Sequence, residues 1–336
     1  MTKSIFRLGI IGIGRIARTY FPVLERMKSV QVAFLCDIVP EQMARAASDF
    51  PKLLGGAGQF ASSDEAIDRL GRVDAVLIAT PLSTHFMLAE RVLKRGVRTL
   101  TEKPGVAKME ELKALYALAE SFQTRFQVLY HFAYAPEVER FCALKEDLER
   151  VLGEVRGFGC DFQDPAVSGN LLTISPRKLG GSFLSSGVNA LSVLERVCGL
   201  EGLRVLAHDA HQVPGLVDQN QEKVVPEVDS ASLTEFGAPE RHLTGVIRTD
   251  WEQGWNFKST FLACESGTVL LDHTAQSIIV TDFAKGQSVT IPCANEISRQ
   301  ERQYQILFER SFFQPEPMEV TRARDERIHA LLLGQN

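Results

Sequence analysis

Through the first 130 residues, short apolar runs alternate with stretches of helical period. The runs are FRLGIIGIG, VQVAFLCD, VDAVLIAT, VRTLTEK and RFQVLYH. Between them lie RIARTYFPVLERM, PEQMARAASDF, SSDEAIDRL, STHFMLAERVLKRG and KMEELKALYALAESF. This alternation predicts βαβ units and a parallel sheet covered by helices on both faces. VDAVLIAT, apolar at nearly every position, fits a strand buried on both sides.

After about residue 130 the texture changes. The helical PEVERFCALKEDLER leads into GEVRGFGCDFQ, then a Ser/Gly-rich loop, then the helix ALSVLERVCG. From 203 to 293, strand-like segments succeed one another with few helices: LRVLAH, ASLTEFG, HLTGVIRTD, FKSTFLAC, GTVLLDH, SIIVTD and QSVTIPC. Such an order predicts a largely antiparallel sheet. RQYQILFERSF and VTRARDERIHALLLG read as two closing helices. At 336 residues the chain exceeds one ordinary core. The expected fold is therefore α/β: a doubly wound Rossmann domain over residues 1–130, then an α/β domain with a large, mostly antiparallel open sheet over 131–336. The C-terminal helix can return to the first domain.

Composition narrows the function. Hydrophobic residues at 45% and charged residues at 24% describe a globular protein. A net charge of −5 without a long basic run speaks against nucleic acid and anionic membranes as partners. No apolar run approaches the roughly 18 residues of a membrane span. Lys3 and Arg7 precede an apolar stretch in the manner of a leader, but Arg15 interrupts it early. Six dispersed cysteines with no CxxC pair point to reduced thiols in a cytoplasm. The histidines show no HExxH spacing, and His208 and His211 would face opposite ways on a strand, so no metal is expected.

Four short motifs carry chemistry. GIGRIA follows the first strand and opens a helix. Gly12 permits the turn, Gly14 lets backbone approach a pyrophosphate, and Ala17 allows close helix–strand packing. Arg15 and Ile16 begin the helix whose free N–H groups meet the anion. Asp37 ends the next strand, where a carboxylate accepts from ribose hydroxyls and repels a 2′-phosphate, favouring NAD while leaving NADP open. ATPLSTH supplies Thr80, Pro81 and His85, and TEKPGV supplies Glu102, Lys103 and Pro104. Both lie at strand carboxyl ends, where open α/β sheets bind ligands.

GIGRIA, Asp37, ATPLSTH and EKP, in this order, resemble the Gfo/Idh/MocA oxidoreductases. The resemblance is strong over residues 5–140, partial to 200 and architectural afterwards. It implies nicotinamide hydride transfer on sugars, polyols or their derivatives. The second domain's sheet would serve association into a homodimer or homotetramer. Carried over, Lys103 would hydrogen-bond the reacting oxygen as acid/base, the positive charge of oxidised nicotinamide favouring its neutral amine. Members usually carry Asp-x-Gly-x-His at a helix start in the second domain. Here the matching stretch is Ser185-Ser186-Gly187-Val188-Asn189. A subset of aldose 1-dehydrogenases has Asp-Pro-Gly-Ile-Asn-Ala-Leu-Ser, which Gly187, Asn189, Ala190, Leu191 and Ser192 match and Ser185 does not. Acid–base assistance is worth about 10²–10⁴ in rate, and serine cannot replace a carboxylate as base.

His131, in VLYHFAYAP, is the reserve proton carrier or a packed interdomain histidine, and Tyr130 and Tyr134 beside it can bind a polyol. Arg177 and Lys178 either clamp a substrate anion or lie in a solvated loop. Trp251 and Trp255 stack on a sugar or pack at a subunit interface. Ser186, three residues before Asn189, can cap the helix. The leading reading is an NAD-dependent sugar dehydrogenase with Lys103 as acid/base and Asn189, His131, Ser185, Tyr130, Tyr134 and Lys178 around the substrate. A biosynthetic ketone or imine reductase and a non-catalytic NAD-binding sensor stand beside it.

Overall fold

A computed structural model describes residues 5–71, 73–165, 180–212 and 229–334. Two compact units emerge. One runs to Tyr130 and takes in Gln300–Glu326; the other comprises His131–Arg299 and the residues from Arg327 onward.

In the first unit, β1 (Phe6–Ile11), β2 (Val30–Cys36), β3 (Gly58–Phe60), β4 (Ala75–Ile78), β5 (Arg98–Glu102) and β6 (Phe126–Leu129) form a sheet of order β3-β2-β1-β4-β5-β6. Every pairing in it is parallel. Crossovers are made by α1 (Arg15–Arg26), α2 (Pro40–Asp49), α3 (Pro51–Leu54), α4 (Ser63–Asp68), α5 (Leu82–Leu93) and α6 (Met109–Ser121). All four residues of β4 are buried, as a doubly covered central strand requires. The three-residue β3 is too short to show in the hydrophobic pattern; it pairs on the edge with Phe34–Cys36.

The second unit opens with a 3₁₀ turn at His131–Tyr134 and α7 (Pro136–Leu152). Its strands are β7 (Val155–Gln163), β8 (Arg204–His211), β9 (Ala231–Ala238), β10 (Leu243–Asp250), β11 (Phe257–Cys264), β12 (Gly267–Asp272), β13 (Ser277–Asp282) and β14 (Gln287–Pro292). They order as β14-β13-β12-β11-β7-β10-β9-β8. Pairing is antiparallel except between β10 and β7, where the long excursion through α8 (Val188–Val197) brings the chain back in the same direction. Burial alternates along β9 and β12, so one face packs inward and the other is open.

The closing helices are α9 (Arg299–Phe313) and α10 (Met318–Leu332). Within the first unit, Phe312 stacks on Phe6 of β1 with centroids 4.7 Å apart, and Tyr304 meets Tyr20 of α1 edge-on at 4.8 Å. Asp325 of α10 is fully buried and accepts from the Tyr116 hydroxyl at 2.6 Å and the Val128 amide at 3.3 Å. Burial pushes its carboxyl up to about 6 from an ordinary 3.8, although Arg324 and these donors pull the other way.

A carboxyl raised in the fold contributes stability that is complete below pH about 4 and is lost as pH rises through about 6. Asp325→Asn should therefore show a shallower fall in stability between these limits. Between pH 4 and pH 7 wild type should lose on the order of 3 kcal/mol more stability than the variant. Denaturant unfolding across that range checks it; parallel curves would refute the assignment.

Candidate active site

The carboxyl edge of the first sheet gathers all four motifs on the adjacent strands β2, β1, β4 and β5. Gly12, at φ +92°, turns the chain out of β1, and a Cβ there would lie 2.7 Å from the Ala79 carbonyl carbon and 2.8 Å from Thr80 Cγ2. Only glycine accepts both the conformation and the space. Gly14, by contrast, has nothing within 4 Å of where its Cβ would stand. It precedes α1 without a side-chain cap, and no acidic residue lies in the first turn. The leading amides of α1, from exposed Arg15 and half-buried Ile16 onward, are thus left for an outside anion. An open approach at Gly14, orphan amides and no acidic residue in the first turn of α1 fit a dinucleotide pyrophosphate.

Asp37 follows β2 and accepts from the Ile13 amide at 2.6 Å through one oxygen and from the Val39 amide at 2.9 Å through the other. It therefore braces the glycine turn as well as ending the strand. At the end of β4, the Thr84 hydroxyl reaches Thr80 Oγ1 at 2.8 Å, while exposed Pro81 starts α5. Buried His85 spans two loops, its ring nitrogens 2.8 Å from the Thr80 carbonyl and 2.9 Å from that of Gly105. Burial lowers its pKa, against the pull of the two carbonyls. His85 thus ties the ends of β4 and β5 together.

Lys103 is half-buried directly after β5. Beside it, Glu102 is sealed from solvent; its Oε1 accepts from the hydroxyls of Tyr20 at 2.5 Å and Tyr304 at 3.2 Å. Oε2 accepts from the Lys103 amide at 3.1 Å. Burial raises the Glu102 carboxyl, against the pull of these donors and the Lys103 charge. The backbone under Lys103 is fixed by this carboxylate. Tyr304 was not a candidate from sequence, since a lone tyrosine in a distant helix carries no motif.

In the second unit, GGSFLSSGVNALS opens α8 through a π-type turn at Phe183–Gly187. Gly181, at φ +95°, lies so close to Asp229 that a Cβ would meet its carboxylate. Asp229 caps this start, accepting from the Ser182 hydroxyl and, at 2.9 Å, from the Phe183 amide. The expected capping by Ser186 is therefore corrected: Ser186 lies inside the turn, donates to Asp164 at 3.0 Å and accepts from Trp251 Nε1 at 3.1 Å. The extra residue of a π turn displaces it from the cap position. Asn189 is buried; its Nδ2 reaches only the Ser185 carbonyl, at 3.5 Å, and its Oδ1 has no partner among the described residues. Ser185 is half-buried.

The turn carrying His131 and Tyr134 packs on α8. His131 is buried, and the Tyr134 ring lies 5.1 Å beneath the Arg196 guanidinium. Tyr130, in the first unit, is also buried. Trp251 belongs to the core of its unit rather than a subunit interface, because its indole N–H is spent on Ser186. Exposed Trp255 donates to Gln163 at 2.6 Å. His208 bonds Thr234 at 2.8 Å and His211 faces Glu252 at 3.4 Å. Arg177 and Lys178 lie outside the described residues.

Residues 6–130 match the model of the oxidoreductase family with an NAD-binding Rossmann fold. Over these residues the chain is similar to the Gfo/Idh/MocA family. The rhizopine catabolism protein MocA of Rhizobium meliloti is 27% identical over 197 residues, 58% of either chain. The UDP-N-acetylglucosamine 3-dehydrogenase of Acidithiobacillus ferrooxidans is 37% identical over 114 residues, 34% of this chain and 33% of that one. The matches thus span less than two thirds of these relatives. A crystal structure of a 3-ketoreductase from Actinomadura kijaniata, in complex with TDP-benzene and NADP, superposes at TM-score 0.77 and 17% identity. It covers 98% of this chain and 96% of that one. The fold of that structure, parallel sheet first and mostly antiparallel sheet second, therefore extends along the chain.

The two glycines make opposite demands, which stability and binding separate. Gly12→Ala should cost about 2 kcal/mol or more and lower the unfolding midpoint. Gly14→Ala should leave the midpoint nearly unchanged yet weaken NADH binding about tenfold or more by filling the phosphate approach. Thermal melts with NADH fluorescence titrations check both; a destabilised Gly14→Ala protein would contradict the open space at that position.

Proposed function

We propose that the protein is a nicotinamide-dependent oxidoreductase that moves hydride to or from a carbohydrate-like carbon, with Lys103 as acid/base. The observation carrying this reading is the common placement of an uncapped helix start at Gly14 and a fixed lysine at the end of β5, two strands along one sheet edge. Asp37 beside the glycine turn favours NAD, and the NAD-binding family model supports it. When bound, the nicotinamide accepts or donates the hydride at its C4. The remaining work belongs to side chains. In oxidation, the substrate hydroxyl proton passes to the neutral Lys103 amine; in reduction, the Lys103 ammonium returns it. Glu102 holds the Lys103 backbone, so the amine starts from one position. Asn189 orients a substrate hydroxyl, with His131, Tyr130, Tyr134, Ser185 and Lys178 as further contacts; an amide cannot take the proton. The relatives' names, a UDP-sugar dehydrogenase among them, support a sugar-type substrate.

Association through the second sheet belongs to the same reading. Its open face bears Leu233, Val246 and Phe261, each more than a third exposed. Among the described residues no helix is long and apolar enough to cross a membrane, and the six cysteines are free thiols, which supports a cytoplasmic setting.

NADH formation on a panel of aldoses and polyols, and NADH consumption with keto-sugars, tests the reading. Lys103→Met should lower kcat by about 10²–10⁴-fold while still binding NADH. Equal rates in both proteins would remove Lys103 from the chemistry; tight NADH binding with no turnover by wild type would favour a sensor.

A further inference from the structure

The turn that opens the second unit cannot be completed by its own backbone. In His131–Tyr134 the 3₁₀ pattern runs as far as the Ala135 amide, which donates to the Phe132 carbonyl at 3.1 Å. The next bond of that pattern would join the amide of residue 136 to the Ala133 carbonyl, and residue 136 is a proline with no N–H to give. The donor comes instead from another helix. Arg196 Nη1 donates to the Ala133 carbonyl at 2.8 Å and also to the Glu139 carboxylate on α7. The same guanidinium lies over the Tyr134 ring, 5.1 Å from its centroid. Only 20% of the Arg196 side chain is exposed, so solvent screens these charge-assisted contacts weakly.

Arg196 stands near the end of α8 and Asn189 near its start, seven residues earlier. At about 3.6 residues per turn, that spacing returns to the same face after two turns. This helix packs on the turn. Asn189 carries a buried amide oxygen with no partner among the described residues. One helix therefore bears both an unfilled acceptor and the side chain that holds the turn of His131 and Tyr134.

We infer that Arg196 is a positioning residue for substrate binding: it supplies the donor that Pro136 lacks, and so sets the turn bearing His131 and Tyr134 against the helix bearing Asn189. This rests on the sugar-oxidoreductase reading, in which those three side chains contact the substrate, and adds what fixes their spacing. Neither the proton nor the nicotinamide is handled by Arg196, so its loss acts on sugar binding rather than on the chemical step. Lysine would keep the charge, but as a point donor on a flexible stem it lacks the plane that covers Tyr134.

The test measures KM and kcat on a panel of aldoses, polyols and keto-sugars, together with NADH dissociation constants and unfolding midpoints. The proteins are wild type, Arg196→Met, Pro136→Ala and the double variant Arg196→Met/Pro136→Ala; Arg196→Lys replaces the methionine in both should it fail to fold. A hydrogen bond from a charged group corresponds to about 10- to 100-fold in affinity. Loss of Arg196 should raise the sugar KM by about that factor, with kcat and the NADH dissociation constant nearly unchanged. Pro136→Ala returns a backbone N–H opposite the Ala133 carbonyl. Alone it should behave as wild type, and in the double variant it should bring KM most of the way back. A lowered unfolding midpoint with an unchanged KM shows a merely structural role and overturns the inference. A double variant no better than the single one overturns it too, because the Ala133 carbonyl would then not be the link. Both outcomes leave the oxidoreductase reading intact, whereas wild type that turns over no panel sugar overturns both.

Discussion

A carboxylate with no access to water sits at the most consequential point of the first sheet. Glu102 ends β5 one residue before Lys103, and three donors converge on it. Each comes from a different place: Tyr20 from the helix after the glycine turn, Tyr304 from near the chain's end, and the Lys103 amide from the strand itself. Burying such a group is costly unless its oxygens are satisfied. Helix α1, strand β5 and helix α9 must therefore be in register together before the carboxylate is tolerable. The dinucleotide turn and the lysine inherit their geometry from that requirement, with His85 linking the intervening loops.

The second unit applies the same economy to a cation. Lys258 is buried on β11, and one of the three groups that satisfy it, Asp164, also bonds Ser186 at the beginning of α8. Asp229 caps the first amides, Asp164 takes the hydroxyl inside the turn, and Trp251 fixes that hydroxyl's direction. A helix start with uncharged residues at positions 185 and 189 is met by acids from other segments. Replacing residues within a motif need not remove the chemistry from its neighbourhood.

Legibility followed the range of the interactions. The parallel sheet was readable because strand and helix periods alternate locally, and Gly12 and Gly14 because each glycine answers a demand set within a few residues. The three-residue β3 was too short to leave a pattern, and the parallel β7–β10 pairing depends on a long excursion that no local period encodes. Around the site, Lys103 and Asp37 announced themselves by position after strands. Asp164, Asp229 and Lys258 did not, since each works on a helix start 17 or more residues away in sequence. Ser186 was misassigned because serine before a helix ordinarily caps it, and the π turn that moves it inward has no marker in residue type.

The membership of Gln300–Glu326 in the first unit has a consequence for how the protein comes into being. A ribosome delivers the six parallel strands early, yet Glu102 then lacks Tyr304 and Asp325 has not been made. Phe6 likewise waits for Phe312. The emerging Rossmann sheet must spend the synthesis of the whole second unit with an unclosed apolar flank, a period in which nascent chains are prone to aggregate. Completion of the nucleotide-binding half is thereby deferred to the end of translation, so a chain that stops short forfeits the half that was made first.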